Sequence, residues 1–152
     1  MLVKIRIWYD QLWNLYHWPA IHSVVFNENV KTYHDFYFLS ILNSKLFRFF
    51  ISNTSTSISW DTYRLTPEYL KNFCFPNIDF SSPSQKEKHD NLVSLVNQML
   101  LAQKKFKETE FDDDKKVIQK QIEIIDWKID ELVFDLYGLS EEEKKVVLSI
   151  KK

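Results

Sequence analysis

The chain has 152 residues, a formal net charge of −1, one cysteine and one glycine. This composition excludes an intrachain disulfide framework, a zinc site built from several cysteines, and the glycine-rich phosphate loops of P-loop and Rossmann proteins. A net charge so close to zero is also atypical of a purely electrostatic nucleic-acid binder.

Hydrophobic residues make up 45% of the chain, which is enough to fill a core. No apolar run approaches the roughly 20 residues needed to span a bilayer. A single cysteine suits a reducing compartment. The sequence therefore predicts a soluble, cytoplasmic protein.

The first half of the chain mixes strand and helix signals. Strict alternation predicts a strand over residues 3–10, and a β-branched run predicts a second strand over residues 22–27. Residues 35–52 repeat apolar side chains at three- and four-residue spacing, which predicts one buried amphipathic helix capped by Asp35. Residues 59–66 are a further strand candidate. Ser81 to Ser84 form the clearest linker.

Beyond that linker the pattern becomes purely helical. Two apolar rows recur at spacings typical of helices packed lengthwise. The first contains Leu92, Leu95, Met99, Ala102 and Phe106, and the second contains Ile118, Ile122, Ile125, Ile129, Leu132 and Leu136. The short break between them, with Asp112 or Asp113 as a cap, predicts an antiparallel helical hairpin.

The only glycine predicts the end of the second long helix. Gly138 can adopt the left-handed conformation that closes a helix. Ser140 and Glu143 then form the S-x-x-E capping box of a short final helix.

The sequence contains no recognisable catalytic constellation. The histidines at positions 17, 22, 34 and 89 lack zinc-ligand spacing. Cys74, between two phenylalanines, favours a buried inert thiol over a nucleophile. Asp126 and Asp130, one turn apart, could form a carboxylate pair, but a solvated helix face is the favoured interpretation. We therefore expect no catalytic residue, metal site or cofactor site in this chain.

Two features suggest binding. Cationic and aromatic residues suited to phosphates and base edges are Lys4, Arg6, Lys45, Arg48, Trp60, Tyr63, Arg64 and Lys71, although such a mixture is also common on ordinary surfaces. The helical hairpin is the second feature, because its apolar rows could pack on each other or receive a partner. Packing on each other is favoured, since each row needs the other for burial.

Several strings together resemble a known family. They are LSILNSKLFRFF (39–50), TYRLTPEYLKNFCFPNI (62–78), LVNQML (95–100) and QKQIEIIDWKIDELVFDLYGLSEEE (119–143). In this order they resemble the C-terminal target-recognition region of type IIG restriction-modification enzymes, which contains a TaqI-like specificity domain. These enzymes are adenine-specific DNA methyltransferases fused to an endonuclease. The tail string is the most specific. The segment at 73–76 lacks the family's first proline, and the methyltransferase NPPY motif and any nuclease motif are absent.

The resemblance implies an α+β fold, with a small mixed α/β recognition part at residues 1–83 and a long helical hairpin spacer with a short terminal helix at 84–152. It implies a non-catalytic, sequence-specific DNA target-recognition module, detached from the domain that would bind S-adenosylmethionine. The expected partners are double-stranded DNA and the methyltransferase and endonuclease domains, in cis or in trans. No membrane partner is expected.

The DNA contacts cannot be carried over from the family by position. On chemical grounds alone we select Lys45, Arg48, Trp60, Tyr63 and Arg64. An alternative function is a protein-interaction module that uses the hairpin for docking or forms a homodimer. An enzyme with an unrecognised site is a third, less favoured reading.

Overall fold

A computed structural model describes residues 31–59, 62–63 and 67–149 of the chain. The helices in these ranges are α1 (Asp35–Leu42), α2 (Lys45–Thr54), α3 (Pro67–Leu70), α4 (Pro83–Glu108), α5 (Asp112–Tyr137) and α6 (Glu141–Leu148). Two short strands, β1 (Ser57–Ser59) and β2 (Thr62–Tyr63), pair antiparallel between α2 and α3.

The expected α+β fold with a mixed α/β recognition part is wrong, because the part of the chain that the structure describes is helical. Its strands amount to the three residues of β1 and the two of β2. The strands predicted at 3–10 and 22–27 lie outside the described residues. Between residues 31 and 82, apolar side chains are buried by α1, α2 and an irregular segment packed on α4 and α5, so these residues need no sheet to cover them.

The single helix predicted over 35–52 is two helices. Ser44 has extended backbone angles, and its hydroxyl accepts a hydrogen bond from the Phe47 N–H at 3.3 Å, which starts α2 afresh. At the start of α1 the cap is His34, whose Nδ1 accepts from the Phe36 N–H at 3.1 Å, rather than Asp35. A side chain that hydrogen-bonds a nearby backbone N–H can therefore divide a helix even where the spacing of apolar residues continues without a break.

The predicted hairpin is confirmed. Helices α4 and α5 have 26 residues each, and only Thr109–Phe111 connect them. Every member of the two predicted apolar rows is buried or half-buried. Phe111 occupies the N-cap position, so Asp112 and Asp113 lie in the first turn of α5, where the helix dipole favours their charge, and not at the cap.

The hairpin takes part in two separate apolar clusters. The first, which we call the base, joins α1, α2 and the irregular segment 71–82 to the ends of α4 and α5 remote from the connection. Its buried residues are Tyr37, Phe38, Ile41, Phe47, Ile51, Phe73, Ile78, Leu92, Leu95, Val96, Ile129 and Val133. The core of the base therefore continues across the predicted domain boundary at residue 83, where Pro83 already opens α4.

The second cluster, which we call the arm, comprises residues 99–125 on either side of the connection. Met99, Ile118 and Ile122 are its buried members, with Ala102, Phe106 and Ile125 packed against them. All of these residues belong to the two helices of the hairpin itself, so the arm extends from the base as a two-helix projection.

The predicted joint after α5 is confirmed. Gly138 has φ 66° and ψ 34°, and the Leu139 N–H donates to the Phe134 carbonyl at 3.0 Å, which closes the helix. Ser140 and Glu143 form the predicted capping box at the start of α6. Helix α6 then packs against α2.

Within the described ranges, no helix is both long and apolar enough to cross a membrane.

Candidate nucleic-acid interface

The N-terminal part of α2 carries the two predicted DNA contacts whose side chains the structure describes. Lys45 is the first residue of this helix, because Ser44 ends the preceding chain in an extended conformation. Arg48 follows one turn later and is half-buried. The break at Ser44 therefore decides where both cations lie.

Lys45 is held by a buried carboxylate of α5. Its backbone N–H donates to Oδ1 of Asp130 at 2.8 Å, and its ammonium nitrogen lies 2.7 Å from Oδ2, an ion pair whose angles fall outside hydrogen-bond geometry. The side chain of Asp130 is 3% exposed and that of Lys45 is 34% exposed. The favoured interpretation of Asp130 as part of a solvated face is therefore wrong, because α2 covers this side of α5.

This contact changes what the start of α2 can bind. A helix N-terminus normally attracts anions through its unpaired N–H groups. Here Asp130 accepts from the Lys45 N–H, and the hydroxyl of Ser44 accepts from the Phe47 N–H. A DNA phosphate could reach Lys45 only by sharing its ammonium with Asp130.

The remaining predicted DNA contacts are not placed by the structure. Trp60 and Arg64 lie outside the described residues. Tyr63 belongs to β2, of which only the backbone is described. The structure thus brings Lys45 and Arg48 together on one helix and leaves the other three as predictions.

Beside α2, three tyrosines hold the irregular segment 74–78 in place. Their hydroxyl groups bond its backbone or its side chains over long sequence separations. The pairs are Tyr137 Oη to the Cys74 carbonyl (2.8 Å), Tyr37 Oη to the Pro76 carbonyl (2.8 Å), Tyr33 Oη to Asn77 Oδ1 (2.7 Å) and the Ile78 N–H to Tyr33 Oη (2.7 Å). Burial raises the pKa of both the Tyr37 and the Tyr137 hydroxyl.

These contacts connect the strings that carry the family resemblance. Lys45, in LNSKL, meets Asp130, in IDELVFDLYG. Tyr137, in the same tail string, donates to Cys74, in FCFP. Three stretches that are far apart in the sequence therefore meet at one place in the base.

The surroundings of Cys74 were predicted wrongly, and the burial of His89 was not predicted. Cys74 is exposed and not buried, because the extended segment alternates and turns its neighbour Phe73 inward. His89 is buried, with Nε2 accepting from the His34 N–H at 3.2 Å and Nδ1 lying 2.9 Å from Asp90 Oδ1. Only its position three residues before Leu92, in line with the apolar row of α4, could have indicated this burial from the sequence.

Among the described residues, no group of three or more histidine, cysteine, aspartate or glutamate side chains is arranged to hold a metal ion.

A second surface of interest lies on the hairpin. Large apolar side chains that are more than half exposed are Leu101, Phe111, Val117, Ile124 and Trp127. Beside Trp127, a shallow groove of about 390 Å³ runs between α4 and α5, with Leu95 and Leu132 among its lining residues. Sequence reasoning identified the inner rows of the hairpin but not this outer apolar surface.

Comparison with known proteins yields no family model, no curated protein and no solved structure that matches the chain.

Proposed function

We propose that this chain is a non-catalytic, sequence-specific DNA target-recognition module of a type II, IIG-like restriction-modification enzyme. It would act in the cytoplasm on double-stranded DNA, together with methyltransferase and endonuclease domains in the same or a separate polypeptide. Base modification, with S-adenosylmethionine as methyl donor, would belong to those other domains.

The support is the meeting of the family-like strings in the base. Lys45 and Asp130 are 85 residues apart in the sequence, and Cys74 and Tyr137 are 63 apart, yet each pair is in hydrogen-bond contact. These contacts join α2, the segment 74–78 and α5, so the strings that carry the resemblance belong to one part of the fold.

In this proposal the base is the frame from which DNA contacts extend. In this proposal Arg48 contacts a phosphate or a guanine edge, and Trp60, Tyr63 and Arg64 would act beside it. Lys45 contributes mainly by fixing the start of α2 through Asp130. The hairpin would serve as spacer and dock for the catalytic domains.

Duplex binding measured by fluorescence anisotropy tests this function. The full chain should bind labelled duplex at low salt, and log K should fall linearly with log salt by roughly 0.9 per phosphate contact. Replacing Arg48 by alanine should weaken binding and reduce that slope by about one contact. Lys104→Ala, an exposed cation on the arm, is the matched control and should change neither quantity.

Absence of binding to specific and nonspecific duplex at low salt, both for the chain alone and after mixing with a IIG-type methyltransferase domain, would contradict the proposal. A salt-insensitive interaction would contradict its electrostatic part.

The exposed apolar residues of the hairpin favour a second candidate function, protein docking. Ile124 and Trp127 are 53% and 57% exposed, although the hairpin already has a complete inner seam. Exposed apolar groups that cluster on one element are typical of interaction surfaces. Docking of this kind should depend little on salt, which separates it from DNA binding.

A further inference from the structure

A row of four residues runs along the outer side of α5. Lys120, Ile124, Trp127 and Glu131 are spaced 4, 3 and 4 residues apart, the same alternation as in the inner seam. Ile124 and Trp127 are more than half exposed, Lys120 is exposed and Glu131 is half-buried. We call this set the outer row. It has the pattern of a helix-packing seam but lacks a packed helix among the described residues.

The outer row is complementary to itself when it is read in the opposite direction. Its centre is apolar, one end is basic and the other end is acidic. An antiparallel copy would place Lys120 opposite Glu131 of the partner subunit and Ile124 opposite Trp127 of the partner subunit. We propose that this surface docks a second copy of the chain, with the two α5 helices antiparallel about a two-fold axis.

Two observations favour a second copy over an unrelated partner. Two-fold symmetry makes each complementary contact twice, so one short row supplies two ion pairs and two apolar contacts. The groove beside Trp127, whose lining includes Leu95 and Leu132, also offers an apolar floor for Ile124 of the partner subunit.

The expected dimer is weak. The outer row spans 11 residue steps, about 16 Å of helix at 1.5 Å per residue. Glu131 must also share its carboxylate with Lys144, whose nitrogen lies 3.6 Å away. An interface of this length belongs to the small, transient class, so we expect a monomer–dimer equilibrium with Kd on the order of 0.1 mM.

This inference rests on the docking function of the hairpin and names its partner. It is independent of DNA recognition, because the outer row lies on α5 and the predicted DNA contacts lie on or after α2. Self-association and duplex binding are measured separately, so the failure of either is distinguishable from the failure of the other.

Charge reversal with mixing tests the proposed register. Lys120→Glu alone places two glutamates opposite each other at both ends, and Glu131→Lys alone does the same with two lysines. Each variant should dimerise about tenfold more weakly than the wild type in sedimentation velocity. An equimolar mixture of the two variants restores both opposite-charge contacts, so it should form heterodimers about as well as the wild type dimerises.

Lys104→Glu is the matched control, because it makes the same charge change on α4, outside the outer row, and should dimerise like the wild type. Circular dichroism melts establish that all variants remain folded. A wild type that stays monomeric up to about 1 mM, an unaltered Lys120→Glu dimer, or a mixture no stronger than the single variants would each overturn the inference.

Discussion

The base and the arm are built in different ways from the same pair of long helices. Among the described residues, α4 and α5 bury only each other in the arm, through Met99, Ile118 and Ile122. In the base, the same two helices meet α1, α2 and the segment 71–82, and the contacts connect distant residues such as Lys45 and Asp130, which are 85 positions apart in the sequence. The arm therefore depends on a local repeat, whereas the base depends on chain-distant contacts that include buried polar groups. This difference predicts how each region responds to mutation.

The largest effect should come from a matched pair of core truncations. Leu92 is fully buried in the base, and its replacement by alanine should lower the free energy of unfolding by about 4 kcal/mol. The loss is large because several elements surround the cavity that the substitution leaves. Ile118→Ala in the arm should lose only about 2 kcal/mol, because two helices can close together around the gap. Urea unfolding measures both values. Equal losses would show that the arm is as constrained as the base.

The next effect concerns the buried carboxylate of the base. Asp130→Ala removes the acceptor of the Lys45 N–H and the partner of its ammonium, and should cost about 2 kcal/mol. Asp130→Asn keeps an oxygen acceptor and should cost less. The control is Glu123→Ala, an exposed carboxylate of the arm, which should stay within about 0.5 kcal/mol of the wild type. If Asp130→Ala were as mild as this control, the structural role of the contact would be refuted.

A smaller effect should arise at the joint between α5 and α6. Gly138 has a positive φ of 66°, and a Cβ added there would meet no atom within 4 Å. Gly138→Ala should therefore cost about 1 kcal/mol, from backbone strain alone. Asparagine, which tolerates this conformation better, should cost less than alanine. Thermal melts rank the three proteins, and an alanine variant equal to the wild type would argue against the left-handed turn.

The last predicted effect is absent at neutral pH, because it is a loss of stability that begins only in alkali. The folded protein raises the pKa of Tyr37 and Tyr137 by burial, whereas the unfolded chain ionises near the ordinary value of about 10. The stabilisation is therefore complete below about pH 10 and is lost as the pH rises above it. Unfolding measured across pH 9 to about 11.5 should show a steeper decline for the wild type than for the Tyr37→Phe, Tyr137→Phe double variant.

The same titration also tests the difference between the two regions. The arm, residues 99–125, contains no tyrosine, so the additional hydrogen exchange of the wild type relative to the double phenylalanine variant in alkali should appear in the base. Additional exchange confined to the arm would contradict the assignment of this pH dependence to the two buried hydroxyl groups.

Local patterns predicted some elements well for a physical reason. The seam residues Leu95 and Ile122 recur with the helical period, so their burial follows from helix geometry alone. Gly138 and Ser140 act through their own backbone and their nearest neighbours, so the C-terminal joint needed no knowledge of distant contacts. The features that were mispredicted lacked this local determination.

Asp130 and Cys74 show why prediction failed elsewhere. Asp130 lies beside the seam on a helix that carries many charges, and only the arrival of α2 from 85 residues away buries it. Cys74 lies between two phenylalanines, but the extended backbone turns it outward, and Tyr137 from the far end of α5 fixes that backbone. The candidate site depends on such distant contacts. Lys45 was therefore predicted as an available cation, although in the fold it forms an ion pair with Asp130.

The sequence by itself determined the hairpin, its inner seam and the capped helix that follows Gly138, because periodicity and capping act within a few residues. The sequence also contains the outer row, whose residues are spaced 4, 3 and 4 positions apart. Only the tertiary structure decided which of two seams on α5 is filled and which is exposed, and which polar residues are paired across the base. These outcomes depend on where elements far apart in the chain come to lie, since burial and pairing are properties of neighbours in space.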